Sequence, residues 1–115
     1  RLTKEQHITS GREERIVEIM GFIQNHYADV TLEVLSDYFH LSKPYLSKYI
    51  KERAGMTFQD AVKEERMKRA RMLLKETNQT VETIAAEVGY ENVEHFNRLF
   101  KKTYNITPVQ YRKMS

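Results

Sequence analysis

The chain has no cysteine and no tryptophan, and only two prolines and four glycines in 115 residues. Without cysteine there is no disulfide, no thiolate metal site and no cysteine nucleophile, and the composition fits a reducing, cytoplasmic setting. The histidines His7, His26, His40 and His95 include no i, i+4 pair, so helical metal ligation is not expected. No apolar run approaches the ~20 residues that span a bilayer, and no signal peptide opens the chain. A glycine-rich phosphate loop is also missing, and no serine has a His/Asp arrangement suited to catalysis. Catalytic residues, metals, cofactors and a membrane are therefore all unexpected. The first residue is Arg1 rather than Met, so the chain is expected to be a piece of a longer protein.

Scarcity of proline and glycine leaves long uninterrupted stretches, and none alternates as a strand would. The expected fold class is all-α with seven helices. Residues 1–10 lack periodicity and read as a tail or linker. A first helix follows Ser10, which forms a Ser-x-x-Glu capping box with Glu13, and Ile16, Ile19, Met20, Ile23 and Tyr27 fall on one face. A second starts at Thr31 and should bury Leu32, Leu35, Ser36 and Phe39. The third, about 43–54, tolerates Pro44 in its first turn, buries Leu46, Tyr49 and Ile50, and ends at Gly55. Thr57 with Asp60 opens a long fourth helix, about 57–76. The fifth starts at Thr80, buries Val81, Ile84, Ala85 and Val88, and is broken by Gly89. The sixth runs from about 92 to 104, burying Phe96, Leu99 and Phe100 before Asn105. Thr107, Pro108 and Gln110 start a short seventh.

These helices repeat. At an offset of 49, Thr31 answers Thr80, Glu33 answers Glu82, Leu35 answers Ile84, Ser36 answers Ala85 and Phe39 answers Val88. One residue is added in the next turn. The match then resumes at an offset of 50, pairing Leu46 with Phe96, Ile50 with Phe100, Lys51 with Lys101, Gly55 with Asn105 and Thr57 with Thr107. Each copy is a helix, a tight turn and a second helix, with a small residue (Ser36 or Ala85) where the two helices cross. That is a helix-turn-helix unit. The units are expected at about 31–54 and 80–104, within one domain over 11–115, and two of them point to two DNA grooves read together.

The net charge is +3, which permits nucleic acid as a partner without requiring it. Residues 61–79 hold six cations (Lys63, Arg66, Lys68, Arg69, Arg71, Lys75) against three Glu, and a solvated helix face is an equally good account of them. The fourth helix, at ~1.5 Å per residue, should span roughly 28 Å, close to the ~34 Å of one turn of B-DNA. A rod of that length could hold two recognition helices in successive major grooves. Phe58, Val62, Ala70, Leu73 and Leu74 give it an apolar stripe.

Three segments carry a resemblance: 65–74 (ERMKRARMLL), 41–62 (LSKPYLSKYIKERAGMTFQDAV) and 80–112. The last contains Ala-x-x-Val-Gly-Tyr, then Phe-x-Arg-x-Phe-Lys-Lys, then Thr-Pro-x-x-Tyr-Arg. At these residues the chain resembles the DNA-binding domain of the AraC/XylS family of bacterial transcription regulators. The resemblance implies seven helices, two helix-turn-helix units and a long linking helix, behind an N-terminal sensing domain or, in some members, a receiver domain. It also implies double-stranded DNA as partner, transcription activation, and RNA polymerase as a further candidate partner. Matching positions place Pro44, Ser47 and Lys48 on bases from the first recognition helix, and Val93, Glu94, Asn97 and Arg98 from the second. Arg98 suits guanine, Asn97 adenine and Glu94 cytosine, while Pro44 and Val93 offer only apolar contact. Phosphate contacts are expected from Lys51, Lys101, Lys102 and Arg112, and at the helix starts Thr31 and Thr80. His95 departs from the family's usual bulky residue, and Glu91 and Glu94 make the start of the second recognition helix acidic.

The competing reading is a helical protein-interaction module that keeps the scaffold without reading DNA. A protein-docking face should expose Leu, Met or aromatics. Ser47, Lys48, Asn97 and Arg98 are polar instead, while Tyr45 and the Met residues keep this alternative open.

Overall fold

The computed structural model describes the backbone of residues 11–114 and the side chains of residues 15–114. The expected tail over residues 1–10 and the Ser10–Glu13 capping box lie outside the described residues. Seven helices follow in order: α1 Gly11–Asn25, α2 Leu32–Phe39, α3 Lys43–Ala54, α4 Phe58–Glu76, α5 Val81–Glu87, α6 Val93–Tyr104 and α7 Pro108–Lys113. No strand occurs among the described residues.

Local chemistry places the helix ends. Helices α2 to α7 each start after a residue whose side-chain oxygen accepts from a first-turn amide. The pairs are Thr31 with Val34 N–H (3.0 Å), Ser42 with Tyr45 (3.2 Å), Thr57 with Asp60 (3.1 Å), Thr80 with Thr83 (3.0 Å), Asn92 with His95 (2.9 Å) and Thr107 with Gln110 (3.1 Å). Each such cap contributes ~1 kcal/mol. Around Thr107 the reciprocal bond, its N–H donating to Gln110 Oε1 at 2.9 Å, completes the expected capping box. Left-handed residues close α2 (His40, φ 59°), α3 (Gly55, φ 77°) and α6 (Asn105, φ 69°). The sequence marked Gly55 and Asn105 but not His40.

The chain divides into two compact units. The first contains α1, α2, α3 and the start of α4. Its core is Ile19, Ile23, Val30, Leu35, Leu46, Tyr49, Ile50, Phe58, Ala61 and Val62, with Ile16, Met20, Leu32 and Phe39 packed around it. Ser36 is half-buried and donates its hydroxyl to Leu41 O, which ties the turn to the middle of α2. Tyr27 is a correction to the expected face of α1. That helix stops at Asn25, and Tyr27–Asp29 belong to the second unit.

The second unit contains the rest of α4 with α5, α6 and α7. Met67, Ala70, Leu74, Ile84, Ala85, Val88, Phe96 and Phe100 form its core. Rings run through it in sequence, Tyr90 to Phe96 (5.9 Å), Phe96 to Phe100 (5.9 Å) and Phe100 to Tyr104 (4.8 Å).

Four of the six cations of α4 lie against tyrosine rings, though Arg69 and Lys75 among them, like Lys68, stay exposed. Arg66 lies over Tyr90 (4.9 Å), Arg69 over Tyr27 (5.4 Å), Arg71 over Tyr104 (4.7 Å) and Lys75 over Tyr111 (4.8 Å). A cation over a ring face contributes ~0.5–2 kcal/mol depending on desolvation, so this charge helps to assemble the unit. Burial pushes the Tyr90 and Tyr104 phenols up, against the opposing pull of Arg66 and Arg71. Both rings therefore remain neutral at pH 7 beneath their cations.

Candidate nucleic-acid interface

A helix that buries one stripe must expose the opposite one, and that geometry produces the candidate interface. In the first unit α3 turns Leu46, Tyr49 and Ile50 inward. Pro44, Ser47, Lys48 and Lys51, at spacing i, i+3, i+4, i+7, are all exposed. They form one exposed stripe, apolar at Pro44 and polar or cationic beyond it, whose backbone is fixed by the buried side. Pro44 sits in the first turn, where its missing amide costs nothing. Lys43, just before it, lies 3.9 Å from Glu33, an exposed pair worth little.

In the second unit α6 buries Phe96 and Phe100. Glu94, Arg98 and Lys101 are exposed, Asn97 is half-buried beside them, and Lys102 flanks the same surface. Val93 differs from a freely presented apolar contact because it is half-buried against the second core. The acidic start and cationic end of α6 also complement its own dipole. His95 is exposed, with its ring edge-on to Tyr90 at 5.7 Å.

The two turns differ as the shift in offset requires. In the first, Leu41 N–H donates to Ser36 O (3.1 Å), and in the second Tyr90 N–H donates to Ala85 O (2.8 Å). These bonds are equivalent at the offset of 49. The next caps, Ser42 and Asn92, are equivalent only at 50, so the added residue lies between the turn bond and the recognition helix. In the second turn Gly89 (φ 111°) occupies the place of His40.

Three expected phosphate residues have structural duties. Thr31 and Thr80 hydroxyls cap their own helices, and Thr80 also donates to Thr83 Oγ1 at 2.8 Å. Any phosphate held there would rely on backbone amides. Arg112 is engaged within the fold, its Nε donating to Leu74 O (3.0 Å) and its Nη2 to Thr77 O (3.1 Å). The guanidinium closes the C-terminal end of α4, where carbonyls lack helical partners. Arg112→Ala is expected to lower unfolding free energy by ~1.5–3 kcal/mol, with DNA affinity per folded molecule nearly unchanged. Urea unfolding and titration of folded protein check the two halves, and a pure affinity loss would return Arg112 to the DNA surface.

The sequence reading assigned no role to Arg53. It is exposed, as is Tyr45, and both flank the α3 stripe. The signal was present in the i, i+4, i+8 spacing of Tyr45, Tyr49 and Arg53. Among the described residues no group of acidic and histidine side chains could hold a metal ion, and no helix is long and apolar enough to cross a membrane.

Residues 35–114 match the helix-turn-helix domain family. The C-terminal domain of AraT, a response regulator from Geobacillus stearothermophilus, is 33% identical with a TM-score of 0.82, over 87% of this chain and 84% of that one. The C-terminal domain of the two-component response regulator yesN from Fusobacterium nucleatum is 42% identical with a TM-score of 0.79, over 90% of this chain and 100% of that one. The HTH-type transcriptional activator RhaS from an Enterobacter species is 31% identical over 86% of this chain, which spans only 36% of that protein. With two capped helix pairs, a long α4 and these matches, the chain belongs to the AraC-type helix-turn-helix family, a family of DNA-binding domains and not of enzymes.

Proposed function

We propose that α3 and α6 each enter a major groove of double-stranded DNA, in successive turns of one site, and that a longer cytoplasmic protein uses this to regulate bacterial transcription. One observation carries the reading. Each helix pairs a buried hydrophobic side with an outward stripe of base- and phosphate-matching residues, the exposed Pro44, Ser47, Lys48 and Lys51 on α3 and, on α6, the exposed Glu94, Arg98 and Lys101 with the half-buried Asn97. Activation is the favoured direction, supported by the activator name of the RhaS relative. The response-regulator neighbours and the short span of RhaS support a sensing or receiver domain elsewhere in the full protein. Contact with RNA polymerase belongs to the same reading.

Selection of bound sequences from random duplex DNA tests it. An asymmetric site of about 15–20 base pairs is expected, because the two recognition helices differ in sequence. Affinity for mixed-sequence DNA should fall steeply with salt. Recovery of no preferred sequence, with salt-independent binding, would favour the protein-interaction module.

Base readout and positioning separate by mutation. Arg98→Ala should cost ~1–3 kcal/mol on the selected site and relax preference at one base. Lys51→Ala or Lys101→Ala should weaken all duplexes about equally and reduce the salt slope by about one. Equal losses on selected and random DNA for Arg98→Ala would move Arg98 to the phosphate class.

A further inference from the structure

One flank of α3 is built more elaborately than exposure to solvent requires. Tyr45, Lys48, Tyr49, Glu52 and Arg53 line an open groove of about 230 Å³ in the first unit. Tyr45 is 53% exposed, yet its ring lies nearly parallel to that of Tyr49, 5.9 Å apart with 17° between planes. Tyr49 is buried in the core, so the stack fixes an otherwise mobile surface ring. One turn further on, the Arg53 guanidinium rests 5.7 Å from the Tyr49 ring centroid. Arg53 is not in an ion pair among the described residues, although Glu52 is its neighbour.

A guanidinium held beside a ring is not consumed by it, because the ring takes up none of its N–H donors in hydrogen bonds and these can fork onto an anion. Lys48 adds a second cation, and Glu52 opposes them, which leaves the lining at one net positive charge. Tyr45, exposed and lining the groove, adds a phenol hydroxyl as a donor. The groove flanks the Pro44, Ser47, Lys48 and Lys51 stripe on the same helix, so a strand read by that stripe would pass its backbone beside it.

We infer that this groove seats one phosphodiester of the bound DNA, with the Arg53 guanidinium supplying charge and the Tyr45 hydroxyl a hydrogen bond. The inference rests on the DNA-binding reading above. It makes Tyr45 and Arg53 positioning residues, sequence-neutral in themselves, that set how α3 meets the bases. The Tyr45–Tyr49–Arg53 stack is the device that holds both donors in place before DNA arrives.

The probes are the selected duplex and a mixed-sequence duplex of about 25 base pairs, long enough for both recognition helices. Arg53→Gln should weaken both by the same factor, roughly three- to tenfold, and lower the salt slope by about one. Tyr45→Phe keeps the stack and removes the hydroxyl, so it should weaken both duplexes by a smaller equal factor. Glu52→Gln should strengthen both. Thermal unfolding of each variant separates these effects from loss of fold, and Glu52→Gln acts in the opposite direction to the other two, so no single misfolded protein hides the answer. In a scan replacing one phosphate at a time by a neutral methylphosphonate, a single linkage should abolish the Arg53→Gln effect. Wild-type affinity and salt slope unchanged by Arg53→Gln and Tyr45→Phe would overturn the groove assignment while leaving DNA binding intact. A loss confined to the selected duplex would overturn it too, by making Arg53 a base contact. Failure of the wild-type chain to bind either duplex overturns the DNA-binding reading itself, and the groove assignment with it.

Discussion

Gly89→Ala is expected to cost ~3 kcal/mol or more, enough to lower the thermal midpoint by roughly 10 °C or more. The φ of Gly89 is +111°, and an L side chain in left-handed backbone costs ~1–2 kcal/mol before any contact is considered. The contact is worse. A Cβ there would lie 2.5 Å from Ala28 O and 2.9 Å from Arg66 Cζ and Nε. Arg66 cannot step aside cheaply, since its Nε donates to Tyr27 O (2.7 Å), its Nη2 to Ala28 O (3.3 Å) and its Nη1 to Gly89 O (3.4 Å). One methyl group would therefore disturb a turn, a half-buried arginine and three carbonyls in the second unit. Gly55 supplies the control, because its φ is +77° and nothing lies within 4 Å of a Cβ there. Gly55→Ala should cost only ~1–2 kcal/mol, and Gly55→Asn less, since Asn105 already fills the equivalent place at φ 69°. Chemical denaturation of the two alanine variants checks the ordering, and equal losses would refute the Gly89 clash.

The comparison between these glycines shows where sequence reasoning works. Helix starts at Thr31, Thr57, Thr80 and Thr107, and ends at Gly55 and Asn105, depend on residues within about one turn of each other, so spacing alone exposes them. The outward stripes of α3 and α6 were legible for the same reason, as the complement of the buried 3.6-residue period, whereas their assignment to bases came from the family resemblance. Arg66, Arg112 and the tyrosine-capped cations were not legible. Arg66 reaches Tyr27 O across 39 positions and Arg112 reaches Leu74 O across 38, and no local pattern encodes a guanidinium's choice between carbonyl, ring and phosphate. Val93 has the same difficulty, because only the packed second core shows how much of it is already covered. The left-handed conformation of His40 was hidden too, since a single non-glycine residue carries little signal for it.

Inserting about five base pairs between the two half-elements of the selected site should reduce affinity ~10²-fold or more, to that of one element alone. Helix α4 runs for 19 residues without glycine or proline. A helix of that length is ~28 Å long at ~1.5 Å per residue and cannot stretch as a coil would. Half a turn of added duplex rotates the second element to the far side, so one recognition helix must leave its groove. A ten-base-pair insertion restores the rotation but adds ~34 Å between elements. Binding through a continuous helix should fail on that site as well, whereas binding through a flexible tether should largely recover. Duplexes carrying only one element fix the lower limit, and all four affinities can be taken from one competition series at fixed salt. Recovery at ten base pairs with loss at five would mean that the chain bends between its two readers. Unchanged affinity at five would mean that only one of α3 and α6 engages the site at a time.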